Sequence, residues 1–208
     1  MAKPSQESLK KDVVDAGRAT DATGQSIRLG DGRSLGFAEY GDPAGTPVFL
    51  FQGTPSTRLI HPDEAVTRSL GVRLLMLDRP GFGLSDLQPG RRLLDWPDDV
   101  AEVADLLGIG RFAVVGISGG GPYVAACAKK IPQRLTAAAI CGGMGPTDIP
   151  GVMEGAPAQR RLGVFIARHA PWLLRPLLWL ISNPQRDPQW FFERNTAHNP
   201  PADQVLLA

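Results

Sequence analysis

The sequence predicts an α/β fold, in which a mostly parallel sheet is flanked by helices and followed by a small helical lobe. Short apolar runs bounded by glycine and proline are typical of strands that are buried on both faces. Between these runs, apolar residues recur at helical spacing. Buried strands that alternate with helices form a parallel sheet of right-handed βαβ units. The predicted buried strands lie within 46–53, 71–83, 111–116 and 134–143, and the predicted helices lie within 91–109 and 121–132.

The segments on either side of these runs differ from them in composition. Residues 1–24 are polar and lack the apolar core of a signal peptide, so we expect a flexible leader. Residues 26–40 predict an antiparallel hairpin at one edge of the sheet, around a glycine-rich turn at 30–32. Residues 150–208 hold three of the four tryptophans and no buried-strand pattern, which predicts a helical cap lobe. The predicted sheet-bearing core is therefore 25–149.

Charge and cysteine usage narrow the classes of partner. With 22 Lys and Arg residues against 21 Asp and Glu, the net charge is +1, and no basic stripe suits a nucleic acid. The most apolar stretch, 171–181, is shorter than the roughly 20 residues of a membrane span and contains Arg175 and Pro176. Cys127 and Cys141 lack metal-ligand spacing, so we expect buried thiols in a reducing cytoplasm and no metal or cofactor. The expected partner is a small-molecule substrate.

Residues 116–120, Gly-Ile-Ser-Gly-Gly, match the pattern G-x-S-x-G between a predicted strand and a predicted helix. So sharp a turn forces the serine into a strained backbone conformation, and glycines are needed where side chains would collide with the flanking elements. We expect the Ser118 hydroxyl to be exposed beside a helix N-terminus, where developing negative charge is stabilised. The alternative is a glycine-rich turn that only packs.

Two other loops follow predicted strands and are expected at the same edge of the sheet, since the carboxyl ends of parallel strands meet there. In the loop Gln52-Gly53-Thr54, the Thr54 N–H could point above Ser118 and form an oxyanion hole with the N–H of Gly119. An ordinary βα turn is the alternative. In the loop 78–86, Asp78 and Arg79 are expected to hold the turn together rather than to take part in chemistry.

Three motifs in this order, GTPSTR (53–58), LDRPGFGLSD (77–86) and GISGGGPY (116–123), resemble the α/β-hydrolase family, and in particular the bacterial serine hydrolases with a helical cap. The resemblance covers roughly residues 25–200. It implies an eight-stranded, mostly parallel sheet, with a cap inserted after the sixth strand at about residue 143. Serine at 118 argues against the dehalogenase and epoxide hydrolase branches, which carry aspartate there. Gln52-Gly53 differs from the family's usual His-Gly, although Gln52 can still form hydrogen bonds.

The resemblance also implies an acid after the seventh or sixth strand and a base histidine after the eighth. The chain is expected to end within the cap, before those last strands, and so to lack both groups. His61, just past the oxyanion turn, is the histidine expected nearest to Ser118, and Asp148 could loosely replace the acid. His169 and His198 are expected at the surface of the lobe.

These features predict a serine hydrolase that acts on a small ester or amide through an acyl-enzyme on Ser118, with low activity because the acid and base are missing. Two alternatives stay open. One is a non-catalytic, truncated remnant that binds a small apolar ligand or folds only with a partner. The other is a cofactor-free oxygenase or perhydrolase on the same fold. The sixth strand is expected to be an exposed apolar edge, which the lobe or a second copy of the chain could cover.

Overall fold

The computed structural model describes residues 25–147, 149–156, 158–170, 172–173 and 176. The predicted leader, Asp148, His198 and most of the apolar stretch at 171–181 lie outside the described residues. The strands are β1 (Gln25–Arg28), β2 (Ser34–Gly41), β3 (Thr46–Phe51), β4 (Val72–Leu77), β5 (Phe112–Ile117) and β6 (Leu135–Cys141). The helices are α1 (Glu64–Ser69), α2 (Trp96–Leu106), α3 (Gly121–Lys130) and α4 (Ala158–His169).

The described strands form one sheet in the order β1-β2-β4-β3-β5-β6. The hairpin of β1 and β2 is antiparallel, and β2 also pairs antiparallel with β4. The pairs β3–β4, β3–β5 and β5–β6 are parallel. The predicted α/β fold with a mostly parallel sheet and an antiparallel edge hairpin is therefore confirmed. The parallel pairing brings the carboxyl ends of β3, β4 and β5 to one edge, from which the three predicted loops leave.

The larger core cluster lies where α2 and α3 cover the sheet. Trp96, Val100 and Val103 are spaced by four and three residues, so they share one face of α2, and all three are buried. That face packs with the strands, whose Phe49 and Phe112 rings meet edge to face at 4.7 Å. This packing anchors the amino-terminal end of α3, where the candidate nucleophile lies.

Helix α1 was not predicted from the sequence. It is only six residues long, and its start depends on a cap rather than on apolar periodicity. The carboxylate of Asp63 accepts a hydrogen bond from the Val66 N–H at 2.9 Å, which satisfies one of the free donors of the first turn. An aspartate ahead of a short polar segment was the only available signal.

Strand β6 lies at the edge of the described sheet, and six of its seven residues are exposed. Ile140, at 51% exposure, is its largest exposed apolar side chain. This agrees with the expectation of an exposed apolar edge. That a second copy of the chain covers this edge stays a prediction.

Contacts divide the chain into two units, Met1–Gly145 and Pro146–Ala208. The sequence placed the boundary a few residues later, after 149. The described part of the second unit contains α4. No helix within the described ranges has the length and hydropathy needed to cross a lipid bilayer.

The two cysteines differ in environment, and both are free. Cys127 is buried in α3, as expected, whereas Cys141 is exposed at the end of the edge strand, so the expectation of a buried thiol is wrong there. Burial raises the pKa of the Cys127 thiol to about 12, which suppresses its reactive thiolate.

We expect a thiol-specific chromogenic reagent at pH 8 to titrate one thiol in the native protein and both in denaturant. Cys141→Ser should abolish the native reaction, and two fast thiols in the native protein would contradict this picture.

Candidate active site

The turn between β5 and α3 holds the predicted nucleophile. Residues Ser118–Gly120 form a single 3-10 turn that leads directly into α3. Ser118 has a φ of 51°, the only positive φ of a non-glycine residue in the described part of the chain, and it is exposed. Its carbonyl oxygen accepts a hydrogen bond from the Met144 N–H at 3.1 Å, which ties the turn to the segment after β6. The strained backbone and the exposed position predicted for Ser118 are both confirmed.

Glycine is required on both sides of this serine. A Cβ at Gly116 would lie 2.6 Å from the Gly120 carbonyl oxygen and 2.7 Å from a Val124 methyl group. A Cβ at Gly120 would overlap the carbonyl oxygen of Phe51, at the end of β3. The strand, the turn and the helix can therefore approach this closely only without side chains at 116 and 120.

The loop at 52–54, called the predicted oxyanion loop, lies beside the turn at 116–120, called the elbow. A Cβ at Gly119 would meet the Thr54 hydroxyl oxygen at 2.8 Å and the Thr54 backbone nitrogen at 3.2 Å. A Cβ at Gly53 would lie 3.4 Å from the Ser118 Cβ and 3.8 Å from its Oγ. The structure thus brings together Gly53, Thr54, Ser118 and Gly119, although Thr54 and Ser118 are 64 positions apart in the sequence. The roles of the two amides stay predictions.

The Gln52 side chain forms a hydrogen bond within the loop that begins at this residue. Its side chain is buried, and its Nε2 donates a hydrogen bond to the Thr57 carbonyl oxygen at 3.2 Å. The sequence predicted only that this side chain could form hydrogen bonds. The observed bond closes the turn across 53–56 and helps to hold the Thr54 backbone beside the elbow.

A buried ion pair braces the loops after β3 and β4. Asp78 is 1% exposed, and its carboxylate accepts hydrogen bonds from the Arg58 N–H at 2.9 Å and the Arg58 Nη1 at 2.5 Å. It also accepts one from the Leu84 N–H at 3.0 Å. This agrees with the structural role expected of Asp78. Arg58 was missed by sequence reasoning, because nothing in its local pattern marks it as the partner of a carboxylate 20 residues away.

Arg79 joins the same two loops from the other side. Its Nη1 donates to the Gln52 carbonyl oxygen at 3.0 Å, and its Nη2 donates to the Gly53 carbonyl oxygen at 2.6 Å. The guanidinium lies over the rings of Phe82 and Tyr123, at 5.4 and 5.3 Å from their centroids. Burial lowers the pKa of Arg79, yet a guanidinium remains charged at any ordinary pH. From the sequence, Arg79 was expected to hold its own turn together, whereas the structure shows it bonded to the loop at 52–54.

His61 has contacts that differ from those of a base for Ser118. Its ring is exposed and stacks on Tyr40 with centroids 3.8 Å apart. Its Nδ1 lies 2.7 Å from the Pro62 carbonyl oxygen, and because a carbonyl only accepts, Nδ1 is the donor. Within residues 25–147, no hydrogen bond joins the Ser118 hydroxyl to a histidine or a carboxylate. His169 lies at the end of α4, where its ring is 4.6 Å from that of Phe165.

The elbow, the adjoining loop and the mostly parallel sheet define the class of protein. The family model for the alpha/beta hydrolase fold matches residues 46–181, which is more than half of the chain. The chain therefore belongs to the alpha/beta hydrolase family. No curated protein matches the sequence with statistical significance.

Solved structures similar to this chain include an esterase and other proteins with the alpha/beta hydrolase fold. The chain is 26% identical to a thermophilic esterase from Thermogutta terrifontis, with a TM-score of 0.53 over 78% of this chain and 62% of that one. It is 29% identical to an alpha/beta hydrolase fold protein from Chitinophaga pinensis, with a TM-score of 0.50 over 57% of this chain and 43% of that one. A carboxylesterase structure from Nitrososphaera gargenis, at 18% identity and a TM-score of 0.54 over 70% of this chain and 54% of that one, shares the fold. The chain thus spans less than two thirds of the length of each of these relatives.

Proposed function

We propose that this protein is a serine hydrolase that acts on a small ester or amide through an acyl-enzyme formed on Ser118. The observation that carries the proposal is the left-handed φ of 51° at an exposed serine between a buried strand and a helix. Such strain persists only where the surroundings enforce it, and it concentrates at functional sites. The likeness to the Thermogutta terrifontis esterase supports ester chemistry in particular.

The proposed reaction has two halves. The Ser118 Oγ attacks the substrate carbonyl carbon and gives up its proton, and the carbonyl oxygen becomes an oxyanion that accepts hydrogen bonds from the N–H groups of Thr54 and Gly119. The oxyanion collapses, the alcohol or amine leaves with a proton, and the acyl group remains on Ser118. Water then attacks this acyl-enzyme, which releases the carboxylic acid and restores the serine hydroxyl.

The residues beside Ser118 favour an apolar acyl group. Ile117, directly before the serine, is 45% exposed, and Met144, whose N–H bonds to the serine carbonyl, is 56% exposed. Exposed apolar side chains next to a reactive group gain free energy when a substrate covers them, at about 25 cal/mol per Å². A short apolar acid esterified to a neutral alcohol fits this surface and the balanced net charge of +1.

We further propose that turnover by this chain is weak. The reason is the absence, within residues 25–147, of a base bonded to the Ser118 hydroxyl. Loss of the base in a triad lowers kcat by about 10⁶, while the oxyanion hole and substrate binding retain on the order of 10³ to 10⁴ over water. Ester cleavage should therefore be detectable with an activated ester and slow with an unactivated one.

A fluorophosphonate probe tests the proposal, because it phosphonylates a serine hydroxyl that acts as a nucleophile beside an oxyanion hole. Labelling should be slow, for the same reason that turnover is weak, but it should depend on Ser118. We expect the native protein to be labelled at Ser118, and Ser118→Ala to lose the label entirely while it retains its thermal unfolding transition. Ser69→Ala, which removes a hydroxyl at the surface end of α1, is the matched control and should be labelled like the native protein. Labelling that survives in Ser118→Ala would contradict the proposal.

The same experiment decides the second candidate, a non-catalytic member of the family that binds a small apolar ligand. The observation that favours it is again the Ser118 hydroxyl without a hydrogen-bonded base in the described core, residues 25–147. A cooperatively folded protein that takes up no probe, even after prolonged exposure, would support this second function over the first.

A further inference from the structure

One peptide group links Arg79 to the proposed oxyanion hole. The carbonyl oxygen of Gly53 and the N–H of Thr54 belong to the same peptide bond, and that bond is trans. Arg79 Nη2 donates a 2.6 Å hydrogen bond to this carbonyl oxygen, while Nη1 donates to the preceding carbonyl, that of Gln52, at 3.0 Å. In a trans peptide the C=O and the N–H point in opposite directions within one plane. A donor fixed on the oxygen therefore determines where the hydrogen points.

From this geometry we propose that Arg79 is a positioning residue for the oxyanion hole: its guanidinium orients the Gly53–Thr54 peptide and polarises it, so that the Thr54 N–H is a directed and stronger donor. Hydrogen bonds from a charged group are roughly twice as strong as neutral ones, and hydrogen-bonded groups in series polarise one another. The inference rests on the proposed function of Ser118, since the oxyanion hole serves that serine.

The burial and ring contacts of the Arg79 guanidinium hold it in a fixed orientation. Arg79 is 5% exposed and stacks over two rings, and one of these, Tyr123, is in helix α3 three residues beyond the elbow. The Arg79 backbone directly follows Asp78, whose carboxylate is bonded to Arg58. The guanidinium thus connects the loop after β4, the oxyanion loop and helix α3. A planar fork with two parallel donors is suited to two successive carbonyl oxygens, whereas the point charge of lysine is not.

The test compares Arg79→Met and Arg79→Lys with the control Arg91→Met. Arg91 also stacks on Tyr123, at 5.5 Å, and its Nη2 donates to the Tyr123 hydroxyl at 2.5 Å, but it forms no hydrogen bond with residues 52–54 in the described structure. The control therefore loses a cation from the same ring without releasing the loop. Two readouts are taken from each cooperatively folded variant: the rate constant of fluorophosphonate labelling, and the backbone amide resonances and hydrogen exchange of Gly53 and Thr54 by NMR.

We expect Arg79→Met to slow labelling by on the order of 10²-fold, the effect of misplacing a catalytic group by about 1 Å. In this variant the amide proton resonance of Thr54 should move upfield, and the Thr54 amide hydrogen should exchange with solvent faster. Arg79→Lys should give a smaller change in the same direction, and Arg91→Met should match the native protein in both readouts. If Arg79→Met does not fold, Arg79→Lys alone carries the comparison.

The two readouts separate failure of this inference from failure of the proposed function. If the native protein takes up no probe, the proposed function fails, and the Thr54 amide still decides whether Arg79 positions the loop. A Thr54 resonance and exchange rate that remain native in a folded Arg79 variant would overturn the inference. So would a labelling rate that falls equally in Arg91→Met.

Discussion

Replacing Asp78 by asparagine should destabilise the protein by about 3 to 5 kcal/mol, the usual effect of breaking a buried ion pair by removal of one partner. Asparagine keeps the size of the side chain but removes the negative charge that faces the buried Arg58 guanidinium, with side-chain exposures of 0% and 6%. It also weakens the acceptor for the N–H groups of Arg58 and Leu84. The free energy of unfolding from urea denaturation measures the effect.

The matched control for this change is Glu39→Gln. Glu39 accepts two hydrogen bonds from Arg73, at 2.8 and 3.0 Å, so the pair has the same chemistry. Its side chains are 29% and 21% exposed, however, and water screens their charges. Loss of such a pair typically changes stability by at most about 1 kcal/mol. Similar losses of unfolding free energy in Asp78→Asn and Glu39→Gln would show that burial does not determine how much the Arg58–Asp78 pair contributes to stability.

Replacing Gly120 by alanine is the second change with a large expected effect. The new Cβ would overlap the Phe51 carbonyl oxygen and would also lie 3.0 Å from the Gln52 carbonyl oxygen. Both obstacles are backbone atoms at the end of β3, which cannot rotate away as a side chain could. Overpacking in a core costs about 1 to 3 kcal/mol, and we expect a backbone collision to reach or exceed the upper value. Relief of the collision would move the oxyanion loop, so fluorophosphonate labelling of Ser118 should also fall.

Gly110→Ala serves as the control for the glycine change. A Cβ at Gly110 would meet no atom within 4 Å, and its φ lies outside the left-handed region. Surface substitutions of this kind usually change stability by less than about 0.5 kcal/mol. Thermal unfolding and probe labelling of the two alanine variants should therefore separate clearly. A Gly120→Ala protein with native stability and native labelling would show that the elbow tolerates a side chain there.

Much of the fold followed from local pattern. The apolar runs that became β3, β4 and β5 are distinctive because the inner strands of a parallel sheet are buried on both faces. The run that became β6 has the same pattern, but this strand lies at the edge of the described sheet and is exposed. Helix α1 escaped prediction because a six-residue polar helix has too few turns to show periodicity. The exposure of Cys141 was also missed, because cysteine is usually buried and the expectation of a buried thiol rested on residue type alone. Its place at the end of the edge strand β6 leaves it exposed.

The candidate site likewise has features that local sequence predicted and contacts that it did not. Ser118 and its strained turn were predicted because glycine spacing, strand and helix all lie within a few consecutive residues. The hydrogen bonds from Arg79 to the Gln52 and Gly53 carbonyls were not predicted, because they join residues 27 and 26 positions apart.

Local sequence was sufficient to predict the alternation of strands and helices, the family motifs and the sharp turn at Ser118. These features depend on interactions between residues close along the chain, where side-chain periodicity and backbone sterics act directly. The pairing of Arg58 with Asp78 and the hydrogen bonds from Arg79 to the loop at 52–54 depend instead on the tertiary structure. Such contacts arise when β3 and β4 align in parallel so that Leu50 pairs with Met76, which brings the loops that follow the two strands together. That register depends on packing of the whole sheet, and no local segment encodes it.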